Sequence, residues 1–133
     1  EVNLFNEKNN GESLLDLIDK NYIRSAHDVS LGGLITALSK MCIKGNKGVK
    51  INKLNNLIHE IEYFFAEDQG RYIIEIKPND FDQVSNILNK NSVHHEKLGV
   101  IIEKEMIIND KTKLTIDELK SYNTSWLTNY MSS

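Results

Sequence analysis

The chain is 133 residues long, 40% hydrophobic and 26% charged, and its 16 basic and 19 acidic residues leave a net charge of −3. That is enough sequence for one globular domain that buries about two-thirds of its unfolded surface, and it excludes collagen-like and wholly disordered chains. A single cysteine, Cys42, excludes a disulfide scaffold and fits a reducing compartment such as the cytoplasm; no apolar run nears the ~20 residues of a membrane span, and no basic stripe interleaves with aromatics to suit nucleic acid.

Glu1 in place of Met suggests a fragment of a longer multidomain chain, with 1–133 as one of its domains. No basic, then apolar, leader opens it, so no signal peptide is expected. Asn6–Gly11 is polar and reads as a loop. Glu12–Asn21 reads as a helix with Leu14, Leu15 and Ile18 on one face. Tyr22–His27 is a short strand. A second helix follows, with Leu31, Leu34, Ile35, Leu38, Met41 and Cys42 at helical spacing and Gly45 as its stop. Val49 and Ile51 suggest a brief strand, and Leu54–Phe65 a helical or irregular stretch. Gln69–Lys77 reads as a buried strand ended by Pro78, and Asn79 as the N-cap of a helix carrying Phe81, Val84, Ile87 and Leu88. Val93, Leu98–Ile102 and Met106–Ile108 read as strands, with a turn at Asn109-Asp110 before Lys113–Thr115. Ile116–Tyr130 is a last helix, anchored by Trp126 and Tyr130. Strands alternating with helices predict an α/β (α+β) fold, a mixed sheet packed against helices in two layers.

Two segments carry chemical potential. His27–Leu34 puts a His and an Asp at a strand end, then Ser30, then two glycines opening a helix. Gly32 and Gly33 would let backbone N–H groups approach an anion, and Asp28 could hold Mg²⁺ beside a phosphate. The structural alternative makes Ser30 an N-cap and the glycines a close-packing device. In Phe65–Arg71, Glu67 and Asp68 could coordinate Mg²⁺, Gln69 could bond a polar ligand, and Arg71, one of only two arginines, could meet a phosphate. The alternative there is a solvated turn with Arg71 paired to Glu67 or Asp68. Cys42 reads as core packing and His27 as a loop-orienting residue. His94 and His95, adjacent on a strand, would face opposite ways, and His59 with Glu60 and Glu62 makes no metal site.

Together the segments resemble the C-terminal domain of the AIR-synthase-related superfamily, and within it the phosphoribosylformylglycinamidine synthase family, synthetase subunit II type. Its Ala-His-Asp-Val-Ser-x-Gly-Gly-Leu pattern is matched by Ala26–Leu34, and its Phe-x-Glu-x-Gln-x-Arg pattern by Phe65–Arg71. Leu98-Gly99-Val100 and Met106–Asn109 are similar to the family's closing strand pair. Leu31, Ala66 and Asp68 stand where the family often has an acidic residue, Gly and Ser.

The resemblance implies an ATP-dependent amidine-forming ligase of purine biosynthesis. Formylglycinamide ribonucleotide, ATP and glutamine-derived ammonia would give formylglycinamidine ribonucleotide, ADP and phosphate. It also implies ATP contacts at Asp28, Ala66, Gly32 and Gly33, Mg²⁺ at Glu67, and substrate contacts at Gln69 and Arg71. The catalytic residue would lie in an upstream domain, and a glutaminase subunit or domain would supply ammonia, so the isolated fragment should be inactive. The competing expectations are another ATP-dependent enzyme of the superfamily and a non-catalytic docking domain.

Overall fold

The computed structural model describes residues 3–52, 59–68 and 70–132. Its elements run α1 (Leu4–Asp19), β1 (Ile23–Asp28), α2 (Gly33–Gly45), β2 (Gly48–Ile51), α3 (Glu60–Phe65), β3 (Tyr72–Ile76), α4 (Phe81–Lys90), β4 (Gly99–Ile102), β5 (Glu105–Ile108), β6 (Thr112–Thr115) and α5 (Ile116–Met131). The mixed α/β class is as expected. The strands form two sheets: β1 pairs antiparallel with β3, and a second sheet has the order β4-β2-β5-β6, with β2 and β5 parallel. Two compact units hold them, one made of residues 1–38 and 64–97 and the other of 39–63 and 98–133.

In the first unit, α1 and α4 lie together with Leu17, Val84 and Leu88 at the centre, and Tyr22, Ile23, Ile74, Ile76, Ile87 and Val93 close around them. The helix α1 begins at Leu4, so the stretch Asn6–Gly11 is helical and not a loop. Asn3 caps it by accepting the Asn6 N–H, and Asn10 Nδ2 donates to the Gly70 carbonyl at 2.9 Å. Those tertiary and capping bonds outweigh the weak helix propensity of the Asn-rich run. The buried positions of α1 are Ser13 and Leu17, one turn apart, whereas Leu15 and Ile18 are exposed. The predicted apolar face was therefore rotated from the real one.

Among the described residues three helices stop by the same device. The residue after the cap has positive φ at Asn21 (59°), Asn46 (50°) and Ser92 (55°). The next N–H reaches back five residues: Tyr22 to Leu17 O at 3.1 Å, Lys47 to Cys42 O at 3.3 Å, and Val93 to Leu88 O at 2.9 Å. This is the Schellman closure, which satisfies the orphan carbonyls of a last turn. Gly45 is thus the last helical residue of α2, and Asn46 is what turns the chain. Val93, expected as a strand, is instead the apolar residue of the α4 closure and packs on the core.

Near α4, Pro78–Asp80 form a 3-10 turn and Asp80 occupies the cap position, so Asn79 is not the N-cap. The strand predicted over Gln69–Lys77 shortens to β3, which is half-buried because it sits in a two-stranded sheet. His95 is not on a strand; its Nδ1 lies 3.0 Å from Val93 O and its Nε2 2.8 Å from Ser85 Oγ.

In the second unit Cys42, Val49, Ile51, Tyr63, Met106 and Ile116 are buried. Burial pushes the Cys42 thiol up to about 11, as befits core packing. Val49 and Met106 are partners in the β2–β5 ladder. Asn109 and Asp110 both take positive φ (53° and 55°) in the turn from β5 to β6, closed by Lys111 N–H to Ile108 O at 3.0 Å. Thr115 and Glu118 cap α5 reciprocally. Tyr130 is 72% exposed, while the Trp126 side chain and residues 53–58 lie outside what is described.

Candidate functional site

Both motif segments fall in the first unit, and they meet there. Asp28 is the last residue of β1 and pairs across the ladder with Tyr72, the first residue of β3. The pairing continues one step further, with Val29 N–H donating to Arg71 O at 2.8 Å. Asp28 therefore stands at the strand end, exposed, beside the strand that leaves the second motif. His27 Nδ1 lies 2.6 Å from the Asp28 carbonyl and 3.3 Å from Asp28 Oδ1. A carbonyl only accepts, so Nδ1 donates, and this ring nitrogen holds the loop.

Gly33 opens α2 with φ +69°, and a Cβ there would lie 2.6 Å from the Phe65 carbonyl carbon and 2.7 Å from the Phe65 Cα. Only glycine fits both that backbone and that approach. Gly33 N–H donates to the Ser30 carbonyl at 2.9 Å, so Ser30 closes the turn through its backbone. Gly32, at φ +82°, donates its N–H to Glu67 Oε1 at 2.7 Å, and Thr36 Oγ1 donates to Gly32 O at 2.9 Å. The Gly32–Glu67 bond ties the first motif to the second.

Ala66 is half-buried and Glu67 is exposed just after α3. Arg71 donates from Nη1 to Asp68 Oδ2 at 3.1 Å. That pair is partly exposed and worth little in stability, and it uses one of the five guanidinium donors. Gln69 lies outside the described residues.

The donor set suits a hard cation only in part. Asp28 and Glu67 are oxygen ligands, but among the described residues no group of three or more His, Cys, Asp or Glu is gathered to hold a metal. Mg²⁺ is commonly held by one or two carboxylates together with water and phosphate oxygens, and these two residues fit that pattern. His59 donates no such site either; its Nδ1 accepts the Ile61 N–H.

Three apolar side chains near the motifs were not foreseen. Leu31, expected on the buried face of α2, precedes the helix and is 78% exposed; Phe65 and Tyr72 are also exposed. Asn10 was missed as well, because nothing in a polar run announces that one amide will tie α1 to Gly70. A separate open cleft of about 620 Å³ in the second unit, with Asn46, Lys104, Glu105, Asp117 and Lys120 among its walls, contains none of the predicted residues. Among the described residues no helix is long and apolar enough to cross a membrane.

Comparison with known proteins gives a consistent picture. Residues 1–110 match the family described as AIR synthase related protein, C-terminal domain. The phosphoribosylformylglycinamidine synthase subunit PurL of Pelagibacter ubique is 62% identical over 131 residues, covering 98% of this chain and 18% of that protein. Its counterpart from Bartonella bacilliformis is 37% identical over 130 residues, with the same coverage of 98% and 18%. The chain thus spans about a fifth of the length of the curated relatives it matches. Among solved structures, Thermotoga maritima PurL complexed with ADP superposes with a TM-score of 0.78 at 19% identity, over 90% of this chain and 22% of that one. The same protein complexed with FGAR gives 0.74 at 21% identity, over 85% and 20%. At that identity the likeness is one of fold.

Proposed function

The chain belongs to the AIR synthase related protein, C-terminal domain family, and from that premise we propose that residues 1–133 are one domain of a longer, cytoplasmic phosphoribosylformylglycinamidine synthase and line its nucleotide and substrate cleft. The observation that carries the reading is the meeting of the two motifs through Gly32 N–H and Glu67, with Asp28 at the adjoining strand end. The relatives named PurL, and the Thermotoga maritima PurL structures complexed with ATP and with FGAR, support it.

In this reading the whole enzyme transfers a phosphoryl group from ATP to the amide oxygen of formylglycinamide ribonucleotide. Ammonia from a glutaminase subunit or domain then attacks the amide carbon, and the C–O bond to phosphate breaks, giving the amidine, ADP and phosphate. Asp28 and the Ala66 backbone face the nucleotide, and the Gly32-Gly33 loop shapes that wall. Glu67 would hold Mg²⁺, which would supply positive charge where phosphoryl oxygens gain negative charge. Substrate binding falls to Gln69 and Arg71 by resemblance to the family, with Arg71 steadied by Asp68. His27 orients the loop, with Nδ1–H donating to the Asp28 carbonyl.

A docking domain without catalytic role is the second reading, favoured by the exposure of Leu31, Phe65 and Tyr72 beside the motifs. Asp28→Asn separates the two. The full-length polypeptide is assayed for amidine formation with ammonium chloride as nitrogen source. The synthase reading expects activity to fall by about a hundredfold or more, as for loss of one preorganised electrostatic partner, with an unchanged circular dichroism spectrum. Undiminished turnover in the variant contradicts it.

A further inference from the structure

We propose that Glu67 divides its carboxylate between two tasks, with Oε1 fastening the glycine loop through the Gly32 N–H and Oε2 left for the cation, so that Gly32 is a positioning residue and not a nucleotide contact. The cation half rests on the function proposed above; the fastening half does not.

The glycine loop has the look of an anion cradle, yet both of its glycine N–H groups are used within the chain. Gly33 donates to Ser30 O at 2.9 Å, and Gly32 donates to Glu67 Oε1 at 2.7 Å. Neither is held ready for a phosphate. The second bond joins a backbone donor to an ionised acceptor, the stronger class of hydrogen bond, and 2.7 Å is at the short end of its range. A carboxylate has two oxygens and about four lone-pair sites, so one N–H leaves most of its acceptor capacity intact.

Glu67 is otherwise an exposed side chain, free to sample its rotamers. The bond to Gly32 selects one of them, and so removes an ordering cost that a cation would otherwise meet on binding. Gly32 has φ +82°, and Thr36 Oγ1 donates to the Gly32 carbonyl, so the peptides on both sides of this glycine are held by hydrogen bonds. On this account the two glycines have different duties. Gly33 allows the close approach to Phe65, and Gly32 aims a donor at the acidic residue of the second motif.

The test compares Glu67→Gln with Glu67→Ala in the full-length polypeptide. Gln keeps an oxygen able to accept the Gly32 N–H but loses the charge; Ala loses both. Hydrogen exchange at the Gly32 amide is read by mass spectrometry with fragmentation, and Mg²⁺-dependent ATP binding by calorimetry. The expected result is exchange roughly tenfold faster or more in E67A, from loss of one bond to a charged group, and within about threefold of wild type in E67Q, where a neutral acceptor remains. Mg²⁺-dependent binding weakens at least tenfold in both. An unprotected Gly32 amide in the wild type, or exchange unchanged in E67A, overturns the fastening role. Exchange as expected with ATP binding unaffected in both variants overturns the cation role, and with it the reading of Glu67 above, while the fastening stands.

Discussion

Replacing Gly33 by alanine presses on the position where the two motifs are packed together. The backbone there has φ +69°, which costs an L-residue about 1–2 kcal/mol. The new Cβ would stand 2.6 Å from the Phe65 carbonyl carbon, 2.7 Å from its Cα and 2.8 Å from the Phe64 carbonyl oxygen. All three are main-chain atoms, so no side-chain rotation relieves the clash, and overpacking of that kind adds about 1–3 kcal/mol. The sum is about 2–5 kcal/mol, a large share of the roughly 5–15 kcal/mol that stabilises a domain. Urea denaturation followed by circular dichroism should show the midpoint falling by about 1–2 M at a typical slope. Gly45→Ala is the control, since a Cβ there meets nothing within 4 Å; it should be neutral or stabilising by up to about 1 kcal/mol. A Gly33→Ala midpoint equal to that of the control would refute the close-packing account.

The helix ends supply three further predictions. Ser92 holds a left-handed conformation after α4, where glycine is usual, so Ser92→Gly should stabilise by about 0.5–1 kcal/mol in the same denaturation assay; a loss would show that the Ser92 side chain has another duty. At α5, the Thr115 backbone N–H and then the Thr115 hydroxyl hold the Glu118 carboxyl below the usual glutamate range. A depressed carboxylate contributes stability that is present above its ordinary value and lost as pH falls through the lowered one. Acid titration of α5 helicity should therefore show a loss below pH ~4 that Glu118→Gln reduces, and Thr115→Ala should cost the helix about 1 kcal/mol at neutral pH. An identical acid profile in Glu118→Gln would count against the capping box.

What the sequence disclosed and what it hid follow physical lines. The motif segments were legible because His27, Asp28, Gly32, Gly33 and Glu67 are uncommon together, and their types state their chemistry. The turn at Asn109-Asp110 was legible because Asn and Asp tolerate positive φ. Helix ends were not, since Asn21, Asn46 and Ser92 close helices through backbone bonds that leave no unique residue pattern, and Gly45 drew attention away from Asn46. The start of α1 was hidden because its support comes from Asn10 reaching Gly70, a contact 60 residues apart in sequence. The same holds for the Gly32–Glu67 bond: each partner was picked out alone, but only the fold brings the donor to the acceptor. Leu31 was misplaced because helical spacing carries on across a turn that the two glycines in fact interrupt.

In the proposed function Asp28 and Glu67 present a wall to the nucleotide, which calorimetric titration of the full-length polypeptide with ATP in the presence of Mg²⁺ puts to the test. Asp28→Asn should weaken binding by roughly tenfold or more, the loss that accompanies removal of one charged partner, with the thermal unfolding profile unchanged. An affinity equal to wild type in a folded Asp28→Asn variant would contradict the claim and leave the motif face as a docking surface.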